Sequence, residues 1–328
     1  MTSSSTAKPV SLLPSDMYAG SRFITPLDPE WPERLRQMEP HDPATGLHVI
    51  GKPLTEAVTS VAVVGSRKAS AAGLEAAELI ARGLAEAGCT VVSGLAVGVD
   101  ATAHQAALAA GGHTIAVVGA GLDVNYPTRN QRLRRAIQAN GSVVSEYELG
   151  TPPYASNFPA RNRIVVGLCS AVVVVEGTMR SGALITARLA LDANRAVFAV
   201  PGSFRNVMSE GPNELIRTCQ AGLVTSVDHI FEELAPNLVW KDRVERLVPT
   251  APVLEGIELD VLYLMDDTPQ TTDRVAYQGG LQSGKVSLAL SRLEIRGFVI
   301  RQRMGFVISA SGARARAAAA AAEGSGAD

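Results

Sequence analysis

Residues 158–177 read FPARNRIVVGLCSAVVVVEG, and the last seven, AVVVVEG, predict a buried strand. This run is apolar at successive positions rather than at alternate ones, which is typical of a strand covered on both faces in a parallel sheet. Arg161 and Arg163 precede it, in a segment that we expect to form a helix leading into the strand. The stretch therefore favours an α/β fold.

Similar apolar runs occur on both sides of this stretch, and segments with apolar residues at helical spacing separate them. Two of those segments, residues 71–88 and 182–195, are long enough for right-handed crossover helices. The pattern predicts an α/β domain with a doubly wound, mostly parallel sheet. The other predicted strands are VAVVG (61–65), TVVSG (90–94), TIAVVG (114–119), SVVSEY (142–147) and AVFAVPG (196–202).

Composition shifts and prolines suggest the domain boundaries. After residue 252, three amphipathic helical patterns and a hairpin with Gly305 at its turn predict a small C-terminal winged helix-turn-helix domain. The expected parts are a disordered tail (1–23), an extended lead-in that packs on the core (24–60), the α/β domain (61–236), a linker (237–252), the winged-helix domain (253–310) and a second disordered tail (311–328).

Composition excludes several classes of protein. The chain has 328 residues, of which 46% are hydrophobic, and a formal net charge of -2, so it is not wholly disordered and has no overall basic field. Its three cysteines lie in apolar segments, as reduced thiols of a cytoplasmic protein would. No metal-ligand spacing, signal peptide or membrane span is apparent, so we expect a cytoplasmic protein with no membrane contact and no cofactor.

Glycine or a small polar residue follows nearly every predicted core strand, as in Gly65-Ser66-Arg67 and Ser93-Gly94. In an open parallel sheet these strand ends line one crevice, and helices that begin there direct free N–H groups into it. Such a crevice suits phosphates, although any single glycine could simply make a tight turn. No GxGxxG or Walker motif is present, which disfavours NAD and ATP.

Arginines are unevenly distributed in the α/β domain. Residues 61–236 carry 14 basic and 14 acidic side chains, yet six arginines lie between residues 125 and 163. The predicted fold brings Arg67, Arg161 and Arg163 to the crevice, where guanidinium groups could bind phosphates. Phe158 could stack on a nucleobase. The alternatives are core packing for Phe158 and structural pairing of Arg161 and Arg163 with Glu176 or Glu146.

Catalytic chemistry has little support in the sequence. Ser93, Asp100 and His104 contain the residue types of a catalytic triad, but two of them share one predicted helix, so a structural network is favoured. Glu176 ends a buried strand at the crevice and could act as a general base. We favour its pairing with an arginine, since no nucleophile or metal site accompanies it.

Ordered motifs across residues 24–234 show that the chain resembles the DNA-processing protein A (DprA/Smf) family. They are VGSRKAS, VSGLAVGVDATAH, GAGLDVNYPTRN, SEYELGTPPYASNFPARNRIVVGLC, VVVEGTMRSGALITARLALD, VFAVPGS and GPNELI. The resemblance implies a non-enzymatic homodimer with a Rossmann-like core. It also implies that the protein binds incoming single-stranded DNA during natural transformation and helps to load the RecA recombinase.

The resemblance also implies which residues form the sites. The surface for the dimer and the recombinase would lie in residues 213–234, with an apolar patch of Leu215, Ile216, Ile230 and Phe231. The pocket for single-stranded DNA would use Gly65, Ser66, Arg67, Ser93, Gly94, Gly98, Arg129, Asn130, Phe158, Arg161, Asn162, Arg163, Ser181 and Gly182.

Two other functions remain open at the level of sequence. The chain could be a nucleotide-binding or nucleotide-hydrolysing Rossmann protein, with residues 176–186 (EGTMRSGALIT) around the phosphate and Glu176 as the acid or base. It could also be a transcription factor, which would bind duplex DNA through the winged helix.

Overall fold

The structure is a computed structural model that describes residues 11–38, 44–57, 59–234, 256–266, 268–302, 304–309, 312–313, 315–317 and 319. The chain divides into two compact units, residues 1–244 and 245–328. Within the described ranges, no helix is both long and apolar enough to cross a membrane.

A nine-stranded sheet forms the centre of the first unit, in the order β1-β2-β6-β5-β4-β3-β7-β8-β9. The two pairings that involve β2 are antiparallel and the others are parallel, so the predicted mostly parallel, doubly wound sheet is confirmed. The strands are β1 (Arg22–Ile24), β2 (Leu47–Gly51), β3 (Ser60–Val64), β4 (Thr90–Ser93), β5 (Thr114–Val117), β6 (Ser142–Ser145), β7 (Ala171–Val174), β8 (Ala196–Ala199) and β9 (Gly222–Leu223).

Both faces of the parallel strands are covered, which explains their continuous apolar runs. Along β3, Ala62 and Val64 pack into one hydrophobic cluster, while Val61 and Val63 pack into another. Successive side chains of a strand point to opposite faces, so every position of such a strand must be apolar to be buried favourably.

Helices connect the strands and cover both faces of the sheet. The chain runs outward from β3 to β6 and then returns to β7 beside β3, which makes a topological switch point between β3 and β7. The helices are α1 (Glu33–Arg36), α2 (Ala71–Glu86), α3 (Val99–Ala109), α4 (Gln131–Asn140), α5 (Asn157–Gly167), α6 (Gly182–Asp192), α7 (Glu210–Arg217) and α8 (Asp228–Leu234).

The segment before the α/β domain is more ordered than predicted. Residues 11–23 were expected to be disordered, and that expectation is wrong: Leu13 and Met17 are buried, and the Leu13 N–H donates to the Asp123 carbonyl at 2.7 Å. Their few apolar side chains dock on the domain, a contact that local composition cannot show. Residues 1–10 lie outside the described part of the chain.

The described part of the second unit contains three helices and a hairpin that pack around a hydrophobic core of their own. They are α9 (Ile257–Leu264), α10 (Thr272–Gly279), α11 (Ser283–Ile295), β10 (Val299–Gln302) and β11 (Gly305–Ile308), in the order of a winged helix. The expected tail from residue 311 is partly ordered, because Ala315 is buried and Arg316 donates to the Met265 carbonyl at 2.6 Å. The predicted linker, 237–252, lies outside the described residues.

Candidate functional site

A cleft of about 670 Å³ opens at the carboxyl ends of β3, β4 and β7, at the topological switch point. This is where open α/β sheets generally bind their ligands. Its lining consists of Val64, Gly65, Ser66, Arg67, Gly94, Ala96, Asp100, Tyr126, Pro153, Ala155, Phe158, Pro159, Arg161, Asn162, Val165, Ser181, Gly182, Ala183, Ile185 and Thr186.

The turn after β3 presents Arg67 to solvent on the cleft wall. Its guanidinium carbon lies 5.1 Å from the centroid of the Phe158 ring, a cation–π distance. The Ser66 hydroxyl accepts the Lys68 N–H at 3.0 Å and shapes the turn. Arg67 and Phe158 are therefore brought together as predicted, with the cation accessible.

A second turn, after β4, is built around a buried carboxylate. Asp100 accepts the N–H groups of Gly94 and Ala96 at 3.2 and 3.3 Å. Gly98 has φ +84°, and a Cβ there would lie 2.4 Å from the Ser66 carbonyl oxygen, so the two turns interlock. The Ser93 hydroxyl donates to the Val63 carbonyl, which makes this serine structural.

Arg161 lines the cleft, but its guanidinium is held by backbone carbonyls of the protein. It is only 5% exposed, and its Nη1 donates to the Gly94 carbonyl at 2.8 Å and to the Val117 carbonyl. Burial lowers the pKa of Arg161, and Asp100 offsets part of that effect. Arg161 thus joins the ends of two strands at the inner wall of the cleft, because its side chain lies back across Gly94 rather than outward.

The prediction that Arg163 faces the cleft is wrong. Arg163 Nη2 lies 2.6 Å from Glu146 Oε1, and both side chains are largely buried. Arg163 is absent from the cleft lining. The alternative of a structural pair with Glu146 therefore holds, since a salt bridge that is mostly withdrawn from water keeps the guanidinium in place.

The amino-terminal end of α6 forms the opposite wall. Ser181, Gly182 and Ala183 line the cleft, and the first N–H groups of a helix have no acceptor within the helix. The Asn162 amide donates to the Gly182 carbonyl at 3.3 Å and connects α5 to this wall. Asn162, Ser181 and Gly182 are therefore brought together as predicted, in a place that favours negative charge.

An aromatic residue that the sequence interpretation missed completes the cleft. The rings of Tyr126 and Phe158 lie 5.4 Å apart between centroids, and both residues line the cleft. Tyr126 belongs to the YP pair within the GAGLDVNYPTRN motif, so a signal was present. Phe158 is half-buried against Gly119, which combines core packing with an accessible ring.

Arg129 and Asn130 lie outside the cleft lining. Arg129 is exposed in the 3₁₀ turn Thr128–Asn130. The Asn130 amide donates to the Leu95 carbonyl at 2.8 Å, and Leu95 has φ +57°. This hydrogen bond from Asn130 therefore stabilises the turn after β4, since the left-handed backbone conformation is strained for a leucine.

Glu176 does not hold an arginine, contrary to the favoured interpretation. Its carboxylate accepts the Ser70 N–H at 2.8 Å, the Ser70 hydroxyl at 2.6 Å and the Asn206 amide at 3.1 Å. Ser70 is also the N-cap of α2. Glu176 is thus a buried structural acceptor and does not line the cleft.

His104 belongs to a structural network, as predicted. The Thr114 hydroxyl donates to the Val91 carbonyl, so it accepts the Nδ1–H of His104 at 2.7 Å. Burial lowers the pKa of His104 to about 3, and the charge of Arg161 acts in the same direction. Among the described residues, no group of three or more His, Cys, Asp or Glu is arranged to hold a metal.

Three of the four residues predicted to form an apolar surface patch on α7 and α8 are not at the surface. Leu215, Ile230 and Phe231 are buried within the chain's own hydrophobic clusters, and Ile216 packs partly against one of them. Amphipathic helices on an edge of the sheet place their apolar faces inward first. Between α7 and α8 in the chain, Leu223 of β9 is 47% exposed.

Two family models match the chain. The model described as DNA recombination-mediator protein A covers residues 22–235, and the model described as DprA winged helix domain covers residues 245–303. The first match spans the nine-stranded sheet and the cleft. It thus covers well over half of the chain.

The chain is also similar to curated proteins that carry the names Smf and DprA. Protein Smf of Escherichia coli is 41% identical over 251 residues, which are 75% of this chain and 67% of that protein. The DNA processing protein DprA of Streptococcus pneumoniae is 50% identical over 173 residues, 53% of this chain and 61% of that protein.

Two solved structures resemble this one. That of DNA processing protein A from Streptococcus pneumoniae has a TM-score of 0.62 and 43% identity, covering 67% of this chain and 76% of the other. That of DNA processing protein A from Helicobacter pylori, described with a unique single-stranded DNA binding mode, has a TM-score of 0.58 and 31% identity, covering 64% of this chain and 94% of the other.

Proposed function

Because the chain belongs to the DNA recombination-mediator protein A family, we propose that it binds single-stranded DNA in the cleft at the carboxyl ends of β3, β4 and β7. The similar structure from Helicobacter pylori is described as having a unique single-stranded DNA binding mode. This supports single-stranded DNA as the ligand of the cleft. The proposed role is to protect incoming single strands in natural transformation and to help load RecA on them.

The observation that carries the proposal is the pair formed by Arg67 and Phe158, with Tyr126 beside the ring. A base can stack on an aromatic face while an adjacent arginine binds its phosphate, and neither contact reads the sequence. The amino-terminal end of α6 adds N–H donors across the cleft. These groups suit a nucleotide of a single strand, whose bases are free to stack.

We further propose that the cleft binds rather than catalyses. Asp100 accepts two backbone N–H groups, and the Ser93 hydroxyl is bonded to a backbone carbonyl. Glu176, the base of the nucleotide-hydrolysing alternative, already accepts three structural hydrogen bonds. Incubation of the protein with nucleoside monophosphates should therefore release no free base. If the unchanged protein did release base, and the Glu176→Gln variant did not, the nucleotide-hydrolysing alternative would be favoured.

Homodimerisation, the RecA contact and a cytoplasmic location complete the proposal. Since Leu215, Ile230 and Phe231 are buried, the contact surface on α7, β9 and α8 would use exposed residues such as Leu223. Light scattering coupled to gel filtration measures the mass of the particle. A monomeric mass at micromolar concentration would contradict the dimer and leave the DNA proposal intact.

The DNA proposal is tested by fluorescence anisotropy with single-stranded and duplex oligonucleotides of the same mixed sequence at two salt concentrations. We expect preference for the single strand and weaker binding at higher salt, because each neutralised phosphate contributes a slope of roughly -0.7 in log affinity against log salt. Arg67→Ala should weaken binding and make this slope shallower.

Arg82→Ala is the matched control, since it removes the same charge from a partly exposed side chain of α2 that pairs with Glu78. It should bind like the unchanged protein. Unchanged binding by Arg67→Ala, with both variants folded by circular dichroism, would contradict the proposed site.

A further inference from the structure

Three neighbouring strands, β3, β7 and β8, end in loops whose exposed charged residues are all positive. These loops are residues 65–69 (GSRKA), 177–181 (GTMRS) and 202–206 (GSFRN). Arg67, Arg180 and Arg205 are exposed. The parallel pairing of the strands puts all three loops on the same edge of the sheet as the cleft.

The loop after β8 is anchored beside the turn that carries Arg67. The Gly177 N–H donates to the Met208 carbonyl at 2.6 Å, and the Asn206 amide donates to Glu176 at 3.1 Å. Met208 sulfur accepts the Ser66 hydroxyl at 3.4 Å. The loop therefore has a defined position next to the cleft rather than a loose one.

Phe204, at the tip of this loop, is 88% exposed. The guanidinium carbon of Arg205 lies 5.8 Å from its ring centroid, which repeats the arrangement of Arg67 over Phe158. A large aromatic side chain gains free energy by burial, so one held in water by an anchored loop is typical of a binding surface. The ring and the cation together match a base and its phosphate.

We propose that Phe204 and Arg205, with Arg180 between them and the cleft, form a second stacking step that carries a single DNA strand from the cleft across β7 to β8. This inference rests on the proposed function. Adjacent strands lie about 4.8 Å apart, so β8 is roughly 10 Å from β3. At roughly 3.4 Å of rise per nucleotide, about three stacked nucleotides bridge that distance.

The test compares a dithymidylate, which is too short to span the distance from the cleft to β8, with an oligothymidylate of about twelve nucleotides, which can reach β8. Phe204→Ala should weaken binding of the long strand about tenfold, the size expected for loss of one stacked base, and leave the short strand unchanged. The double change Arg180→Ala and Arg205→Ala should make the salt slope of the long strand shallower by roughly 1.4 and leave that of the short strand unaltered.

Two further variants make the result specific. Phe204→Trp keeps an aromatic face, so it should retain affinity, and its added fluorescence should be quenched by the long strand but not by the short one. Leu27→Ala is the matched control, because Leu27 is as exposed as Phe204. Leu27 follows β1, which is the first strand in the sheet order, whereas β8 lies near the other end of that order. It should change neither affinity.

The outcomes separate this inference from the proposed function. Equal long-strand affinity in Phe204→Ala and the unchanged protein would overturn the second step, while weaker binding of both strands by Arg67→Ala would still support the cleft. A change in particle mass without a change in DNA affinity would assign Phe204 to a protein contact and also overturn it. If the unchanged protein binds neither strand, both proposals fail.

Discussion

At the residue scale, two buried arginines donate hydrogen bonds to backbone carbonyls. Arg134 donates to the carbonyls of Leu122 and Val124, and Arg161 donates to those of Gly94 and Val117. Both are nearly inaccessible to water. A planar guanidinium carries several N–H donors, so one arginine can satisfy more than one buried backbone carbonyl at once.

Arg161→Met should lower the free energy of unfolding by about 3 kcal/mol, since it leaves two buried carbonyls unpaired and Asp100 without its cation. Arg67→Ala should change stability by no more than about 0.5 kcal/mol, because Arg67 is exposed. Urea unfolding followed by circular dichroism measures both. Equal effects of the two substitutions would contradict the assignment of Arg161 to structure.

His104 should make stability depend on pH. Its pKa is about 3 in the folded chain against 6.5 for an ordinary histidine, so between these values the unfolded chain binds the proton and the folded chain does not. Stability should therefore fall as the pH falls through 6.5, by about 2 kcal/mol between pH 7 and pH 5 from this residue.

His104→Asn removes the titrating group and should remove this part of the pH dependence. Urea unfolding at pH 7 and pH 5 gives the loss for each protein, and the difference between the two losses isolates His104 from other groups. The same loss in both proteins would contradict the predicted burial of a neutral imidazole.

At the element scale, the cleft depends on the contact between the turns after β3 and β4. Gly98, just before α3, has φ +84°, and a Cβ at this position would lie 2.4 Å from the Ser66 carbonyl oxygen and 3.0 Å from Arg67 Cα. The position of Arg67 is thus set by a glycine of another element. Only glycine combines this dihedral angle with such a close approach.

Gly98→Ala should lower the free energy of unfolding by about 2 kcal/mol or more, from backbone strain and displacement of the turn after β3. It should also weaken single-stranded DNA binding, because Arg67 moves. Gly182→Ala is the control for stability: a Cβ there meets no atom within 4 Å, so the fold should tolerate it. Thermal unfolding and anisotropy give the two measurements, and a Gly98→Ala protein as stable as the control would refute the contact.

At the scale of the whole molecule, the two compact units have separate hydrophobic clusters. The cleft and the Phe204 loop belong to the first unit. The second has the helix order of a winged helix, and its wing residue Arg301 already pairs with Glu294 and lies over Phe306. The proposed path of single-stranded DNA therefore lies within residues 1–244.

A chain ending at residue 244 should bind single-stranded DNA with unchanged affinity and salt slope, because every residue of the proposed path is retained. It should also unfold cooperatively, since its core does not use the second unit. Anisotropy and urea unfolding, run beside the full chain, measure both. A loss of affinity in the shortened chain would instead give the winged helix a part in DNA binding.

The sequence by itself determined the fold class and indicated where the cleft opens. Runs such as AVVVVEG specify strands buried on two faces, and glycines at strand ends specify where the crevice opens, because both depend on local chemistry and chain direction. The motif order, which resembles one family, gave nine of the twenty lining residues, although Tyr126 was missed.

Only the tertiary structure decided which of the predicted side chains are exposed and which are buried or paired within the protein. Arg67, Arg161 and Arg163 look alike in sequence, yet one is exposed, one joins strand ends and one pairs with Glu146. Likewise, Phe231 is buried and Phe204 is exposed. The reason is that exposure depends on atoms from distant segments, such as the carbonyls that accept from Arg161, and a local pattern carries no information about those neighbours.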